Sequence, residues 1–592
     1  MRNAEVVLNI ICERGKRGLP IEDVYRQLYN PDLYLRAYGR IYKNSGAMTQ
    51  GITEETVDGM SQEKITNIIE EIRYERLRWT PVRRTYIPKK NGKERPLGIP
   101  TWKDKLVQEV MRTILEAYFE PQFSDHSHGF RPHRGCHTAL RTIQRWVGVN
   151  WFIEGDIKGC FDNIDHEILL SILREKIHDN RFIRLVEELL KAGYLEDWKY
   201  KPTLSGTPQG GIISPLLSNI CLDRLDKFVE RVLIPRFSRG EKRKKNRKYH
   251  AIQSKMLRCK KNGDFTEAKE LRGIIQQIPS NDVNDPDFRR LRYVRYADDF
   301  LLGFSGPKKE AEEIKGMLRE FLSNQLKLEL SDDKTLITHA STETARFLGY
   351  EIKRFLNNTR HDQNGRRSIN AGINLRVPED AVQEKCNLYR KYGKITHRTT
   401  LINDDDYTIV SIYQSEYRGY VQYYALAHNI HLLNQLRWVM LTSLLKTLAG
   451  KHRTSVNEIA ERYKDTVQTP EGPRRCFTVR VEREGKEPLT ARFGGIPLVR
   501  QQWAEIEDVS KTMTFRSETV ELVKRLLADQ CEKCGSTHNC EVHHIRKLAD
   551  LKAEGRSPKP HWVTIMAARR RKTLVVCRKC HEAIHAGKST SQ

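Results

Sequence analysis

Two adjacent acids interrupt the otherwise apolar, β-forming run Tyr293-Val294-Arg295-Tyr296-Ala297-Asp298-Asp299-Phe300-Leu301-Leu302. Apolar residues on both sides predict a hairpin with Asp298 and Asp299 at its tip. Like charges side by side in such a segment are costly to bury without a cation. A third acid, Asp156, ends the apolar strand Trp151-Phe152-Ile153-Glu154-Gly155-Asp156, ahead of a helix expected to start near Asp165 as its N-cap. Carboxylates gathered from two strand ends can hold two Mg²⁺ ions about 3.5–4 Å apart, which is the chemistry of nucleotidyl transfer. An isolated Asp-Asp pair would be read as a simple turn; here the flanking residues carry more information than the pair.

A second constellation lies in the tail. Cys531-Glu532-Lys533-Cys534 and Cys577-Arg578-Lys579-Cys580 are two CxxC pairs, read as a closed tetrahedral Cys₄ zinc site, with Cys540 outside the pairing as a buried free thiol. Between and after them stand Glu541-Val542-His543-His544-Ile545 and His581-Glu582-Ala583-Ile584-His585. At i and i+4 of a helix, His581 and His585 share a face.

These residues must be positioned by a chain of 592 residues, long enough for several buried cores although only 38% of it is hydrophobic and 30% charged. A mean hydropathy of −0.64 and the lack of a long apolar stretch exclude an integral membrane protein. The N-terminal Val6-Val7-Leu8-Asn9-Ile10-Ile11 is too short for a secretory signal, so a cytoplasmic location is expected. The scattered single cysteines suit a reducing compartment. With 103 Lys+Arg against 76 Asp+Glu the net charge is +27, which points to a polyanionic partner, nucleic acid first.

Residues 1 to about 80 read as helical, and Arg84-Thr85-Tyr86-Ile87 before Pro88-Lys89-Lys90-Asn91-Gly92-Lys93 reads as a hairpin with a basic turn. From Arg239 to Lys261 the only acid is Glu241 and no helical or strand period is evident, so a solvated loop with phosphate contacts is expected. Tyr413, Tyr417, Tyr420 and Tyr424 form a core stripe at helical spacing, and a further helix over Leu432–Leu441 leads to Lys446, Lys451, His452 and Arg453, together a helical bundle with a basic rim.

In the residues around the acids the sequence resembles the group II intron-encoded reverse transcriptases, also called maturases. Tyr296-Ala297-Asp298-Asp299 resembles their active-site box, and Asp156-Ile157-Lys158-Gly159-Cys160-Phe161-Asp162 the box with the other metal-binding Asp. Further matches follow in family order: Arg84–Lys90 with Arg95-Pro96-Leu97-Gly98-Ile99-Pro100, then His128-Gly129-Phe130-Arg131-Pro132. After them come Gly206-Thr207-Pro208-Gln209-Gly210-Gly211 with Ser214-Pro215 as helix cap and first turn, Leu330–Thr335, and Phe347-Leu348-Gly349-Tyr350. Tyr417-Arg418-Gly419-Tyr420-Val421-Gln422-Tyr423-Tyr424 resembles the maturase region, with Arg418, Arg437 and Lys446 as candidates for phosphate contact, and the tail resembles an HNH endonuclease. One slot departs from that pattern: Lys572 stands where HNH proteins usually carry Asn.

The resemblance implies a multidomain α+β chain: a right-hand polymerase with fingers and palm, a helical thumb/maturase domain, a DNA-binding segment and a small zinc-containing ββα-metal (HNH) domain. The expected divisions are an N-terminal extension of the reverse transcriptase at 1–80, fingers and palm at 81–360, thumb at 361–465, the DNA-binding segment at 466–528 and the endonuclease at 529–592. It implies catalytic Asp156, Asp298 and Asp299, with Asp156, Ile157 and Asp298 as ligands of two Mg²⁺. Lys89, Arg95, Phe161, Gln209 and Lys334 would contact the nucleotide: Lys89 and Arg95 the triphosphate, Phe161 the sugar, and Lys334 either as proton donor to pyrophosphate or as phosphate clamp. In the tail it implies His544 as general base and His543, with His581 or His585, on one divalent ion. Implied partners are group II intron RNA, target DNA, an RNA template with a DNA primer, and dNTPs, with no membrane; a homodimer is admitted. The expected activity is RNA-directed DNA polymerisation with splicing assistance and DNA cleavage for target-primed reverse transcription. The competing expectations are a splicing maturase without polymerase activity, an RNA-directed polymerase serving another purpose, and a tail whose zinc is purely structural.

Overall fold

Strand Trp151–Asp156 alternates residues that enter two different cores. The computed structural model of the chain describes residues 3–44, 46–88, 92, 94–196, 199–201, 206, 210–282, 285–357, 370–483, 486–504, 520–546, 560–569 and 571–586. In it this strand lies between Asp299–Ser305 and Ile337–His339 in an antiparallel sheet whose outer member is Arg290–Tyr296. Ile153, Tyr293 and Leu302 pack with the helices Trp102–Phe119, His166–Arg174, Ser214–Phe228 and Lys308–Leu326. Phe152, Val294 and Leu301 pack toward the thumb. Period-two alternation with both faces covered explains the nearly continuous apolar sequence. Gly155 is required at this spot, because a Cβ there would lie 2.1 Å from the Phe300 ring.

A second sheet, ordered Glu94–Ile99, Val82–Pro88, Tyr194–Glu196, Lys199–Lys201, lies in the region expected as fingers. Asp165 caps the helix His166–Arg174 through the Ile168 amide, as its type and position predict. The helix at Ser214 starts one residue earlier than expected: Ile213 occupies the cap and Ser214 is already helical.

Helices Asp406–Tyr423 and Leu433–His452 occupy the region expected as the thumb. Tyr413 and Tyr417 are wholly buried, as their spacing predicts, and Tyr413 Oη lies 2.8 Å from Ser443 Oγ on the second helix. A three-stranded sheet over Lys464–Thr469, Gly472–Arg483 and Lys486–Gly494 then lies on the first helix. Its Phe493 ring stands 5.7 Å from that of Tyr417, so packing runs on through the division expected at 466.

The basic stretch is not the loop expected from its sequence. Arg247–Lys261 is a helix, capped by Asn246 and paired side by side with the helix Phe265–Gln277. None of its own residues is buried, but Tyr249, Ile252, Met256 and Cys259 recur at helical spacing and are half-buried, a short stripe obscured in the sequence by the surrounding Lys and Arg; capping and the neighbouring helix maintain it.

The tail is also less separate than its motifs suggest. Strand Cys540–His544 pairs with Thr573–Cys577 on one side and with Met60–Ser61 of the N-terminal region on the other. Val542, Val575 and Ile584 join the same continuous core as Tyr38, Ile65 and Trp102. The described residues of the N-terminal region therefore pack against two neighbours, the sheet that carries Asp156 and the tail. Among the described residues no helix is long and apolar enough to cross a membrane.

Candidate functional site

The palm sheet gathers the three aspartates by register. Asp156 stands opposite Asp299, and Tyr296 pairs with Asp299 across the hairpin, so Ala297 and Asp298 form the turn. Ala297 takes a left-handed φ of +56° to make that turn. Burial, then the neighbouring Asp298 and Asp156 charges, push the Asp299 carboxyl up to about 7. Burial and Asp156 also raise Asp298, against the opposing pull of Arg95 and Lys334. Asp298 and Asp299, whose ionisation burial and neighbouring carboxylate charge oppose, would be relieved by counter-charge of the kind a divalent cation supplies.

Neighbouring groups are partly in place. Lys334 Nζ donates to Asp156 Oδ2 at 2.9 Å. Phe161, on the short helix Cys160–Asn163, sets its ring edge-on to Phe130 at 6.3 Å, and Phe130 in turn lies 6.5 Å from Tyr296. Backbone bonds from Lys158 to Glu329 and from Ser331 to Asp156 flank Ile157. The Ile157 carbonyl takes no part in either bond. Gly210 approaches the fingers so closely that a Cβ would stand 2.4 Å from the Gly98 carbonyl. Lys89 and Gln209 lie outside the described residues.

What fixes the aspartate turn is a buried ion pair that the motif comparison overlooked. Arg295 and Asp226 are both fully buried, with Nη2 to Oδ2 at 2.6 Å and Nε to Oδ1 at 2.8 Å. The same guanidinium donates to the Ala297 carbonyl at 2.7 Å and to Asn219 Oδ1 at 3.1 Å, while Tyr293 Oη donates to Asp226 at 2.8 Å. A charged residue midway along an apolar strand was the available signal.

In the tail the four thiols of Cys531, Cys534, Cys577 and Cys580 lie within 4.8 Å of one another. Cys534 Sγ and Cys577 Sγ are 3.7 Å apart, close to the edge of a tetrahedron with metal–sulfur bonds of about 2.3 Å. The set is compatible with zinc. Cys540 is buried outside it, and burial pushes its thiol up to about 12.

His543, His581 and His585 converge on a second cluster, joined by Asp58 from the N-terminal region. Asp58 Oδ2 lies 2.8 Å from His585 Nε2, and Asp58 Oδ1 lies 3.3 Å from His581 Nε2. Glu541 Oε2 takes the other nitrogen of His581 at 2.8 Å. His544, expected beside this centre, is separated from it because successive strand residues face opposite ways. Its Nε2 meets Tyr38 Oη at 2.9 Å. Burial, which disfavours the charged form, pushes the imidazole down to about 4, so it is neutral at pH 7. It lines a cavity of about 710 Å³ with Lys43, Arg525, Arg546, Arg571 and Lys572, a lining suited to phosphate. Lys572 accepts the Ile545 amide through its carbonyl at 3.0 Å. Nothing in the local sequence marked Asp58 or Tyr38.

Comparison with known proteins covers the same regions. Residues 87–254 match the family described as reverse transcriptase (RNA-dependent DNA polymerase), residues 368–475 type II intron maturase, and residues 531–581 AI2M/AI1M-like HNH endonuclease. The group II intron-encoded protein LtrA of Lactococcus lactis subsp. cremoris is 41% identical over 95% of both chains. A 91 kDa protein in the cob intron of Schizosaccharomyces pombe is 34% identical over 99% of this chain and 73% of its own. The putative COX1/OXI3 intron 1 protein of Saccharomyces cerevisiae is 32% identical over 94% of this chain and 68% of its own.

Proposed function

Because the chain belongs to the group II intron-encoded proteins, with reverse transcriptase, maturase and HNH endonuclease domains, we propose specific residues for each of its activities. DNA synthesis on an RNA template is assigned to Asp156, Asp298 and Asp299. The observation carrying this is the pairing of Asp156 with Asp299 beside the Asp298 turn, at one end of one sheet. Two Mg²⁺ held there, with the Ile157 carbonyl as a further ligand, would activate the primer hydroxyl and steady the leaving oxygen. Lys334, already on Asp156, is placed to meet the departing pyrophosphate, as proton donor or as clamp. By the resemblance of their motifs, Arg95, Lys89 and Gln209 are assigned to the nucleotide, the first two to its triphosphate, and Phe161 to the space beside the sugar.

DNA cleavage is assigned to the tail. His544 is assigned the proton of the attacking water on the resemblance of its motif; its ring lies on the strand face opposite His543, with Nε2 on Tyr38 Oη, so reaching that water requires this contact to open. His543, His581 and His585 hold the divalent ion, and Cys531, Cys534, Cys577 and Cys580 hold structural Zn²⁺. Arg418, Arg437 and Lys446 on the thumb, together with the basic helix Arg247–Lys261, contact phosphates of intron RNA and so support splicing. Cleaved target DNA then primes copying of that RNA. The test is extension of a DNA primer on an RNA template by the purified chain. Template-dependent extension that disappears in Asp298→Ala supports the assignment, and equal extension by that variant refutes it.

A further inference from the structure

The geometry points to Asp58 as a ligand of the endonuclease metal, so that the nuclease centre is completed by a residue from the N-terminal region. This inference rests on the endonuclease reading of the tail and goes beyond it by assigning a side chain outside the HNH segment.

Four donor atoms, one each from Asp58, His543, His581 and His585, lie within 4.8 Å of one another. Metal–nitrogen and metal–oxygen bonds of about 2.0–2.1 Å place the donors of a tetrahedral ion about 3.3–3.4 Å apart. Measured separations cluster around that edge: 3.3 Å from Asp58 Oδ1 to His581 Nε2, 3.2 Å from His581 Nε2 to His585 Nε2, and 3.5 Å from Asp58 Oδ1 to His543 Nδ1. The remaining contact, Asp58 Oδ2 to His585 Nε2, is a hydrogen bond at 2.8 Å.

A second observation is independent of these distances. His543 is 4% exposed, yet among the described residues neither ring nitrogen makes a well-formed hydrogen bond: Nδ1 has only the 3.5 Å approach of Asp58 Oδ1, and Nε2 has no partner. An imidazole buried without well-formed bonds costs stability unless something else uses its lone pair, and a cation in the cluster does so. His581 shows the complementary arrangement. Its Nδ1 is held by Glu541, which turns Nε2 toward Asp58 as a carboxylate orients a metal-binding histidine.

Asp58 is built into this position. The Gly59 amide donates to the Val542 carbonyl at 2.9 Å, Met60 and Ser61 pair with Val542 and Glu541, and the His544 amide donates to Asp58 Oδ1 at 2.7 Å. The carboxylate is thereby fixed by the same strand that carries His543. It follows that the nuclease centre is complete only when the tail is docked on the N-terminal region.

The experiment is a Co²⁺ titration of the zinc-loaded, full-length protein, read by the visible absorption of tetrahedral Co²⁺. Ions in the oxygen-ligated palm site absorb weakly, and exchange into the Cys₄ site would reveal itself as thiolate charge transfer. One intense site is expected in the parent. Asp58→Asn should raise its Kd at least tenfold while leaving zinc content and primer extension unchanged, and His543→Ala should remove the band. If His543→Ala loses the band and Asp58→Asn binds as the parent does, the Asp58 assignment is overturned and the endonuclease reading stands. If both variants bind as the parent does, the endonuclease metal is not in this cluster and that reading fails. Should Asp58→Asn not fold, hydrogen exchange on the parent decides: Co²⁺ must slow exchange across residues 58–61 as well as the helix Arg578–His585. Slowing in the helix alone overturns the proposal.

Discussion

Replacing Arg295 with Met probes the link between a buried ion pair and the geometry of the polymerase site. The substitution keeps most of the side-chain volume but leaves Asp226, itself fully buried, with Tyr293 Oη and no cation. Removing one partner of a buried pair costs about 3–5 kcal/mol, because the remaining charge stays desolvated. For a unit of 150–250 residues that corresponds to a fall of roughly 6–20 °C in the melting of the palm. The loss of the 2.7 Å bond to the Ala297 carbonyl also releases the turn that carries Asp298. A shift of about 1 Å in a reacting group can reduce the rate about 100-fold, so primer extension should fall by roughly that factor below the melting transition. The assay pairs thermal melting with primer extension for Arg295→Met and for the double variant Arg295→Met/Asp226→Asn. Removing both charges while keeping an acceptor for Tyr293 should recover at least half of the stability loss, and extension should stay low because Ala297 is still unanchored. A single variant that melts within about 2 °C of the parent and extends at the parental rate would refute the reasoning.

Replacing Arg247, Lys248, Arg258, Lys260 and Lys261 with Gln should reduce the slope of log K against log salt for intron RNA by roughly 2–4, since all five are exposed on one helix; an unchanged slope in a binding titration removes this helix from the RNA surface. Cys531→Ser should abolish zinc binding and melt the tail, because a closed structural site contributes folding free energy directly; full zinc content by metal analysis would contradict the Cys₄ assignment. His544→Ala should preserve zinc and stop DNA nicking, and nicking at the parental rate would remove His544 as the base. Phe161→Ala should admit ribonucleotides during extension, and discrimination equal to the parent would show that Phe161 does not guard the sugar.

The palm carboxylates were legible in the sequence because their placement follows from local rules. An acid at a strand exit and an acid pair at a hairpin tip meet once the strands pair, and the register Asp156–Asp299 does this. The buried tyrosines of the thumb were legible for the same reason, being set by helical period alone. Arg247–Lys261 was missed because its short apolar stripe, Tyr249, Ile252, Met256 and Cys259, is only half-buried and is set among many Lys and Arg. His543 and His544 were read as neighbours at one centre, whereas strand geometry sends their rings to opposite faces. Arg295 and Asp226 lie 69 residues apart, and Asp58 lies 527 residues before His585. Contacts of that separation depend on how whole elements dock, which no local pattern encodes.

The central claim, that one chain carries two separate reaction centres, is tested most directly by one reaction on intron RNA and its DNA target, with strand cleavage and cDNA synthesis read from the same sample. Asp298→Ala should cleave the DNA and synthesise no cDNA, because its endonuclease centre is untouched. His543→Ala should leave the DNA intact yet extend an added, pre-annealed primer at the parental rate. If either variant loses both activities or retains both, the assignment of cleavage and copying to these two centres is contradicted.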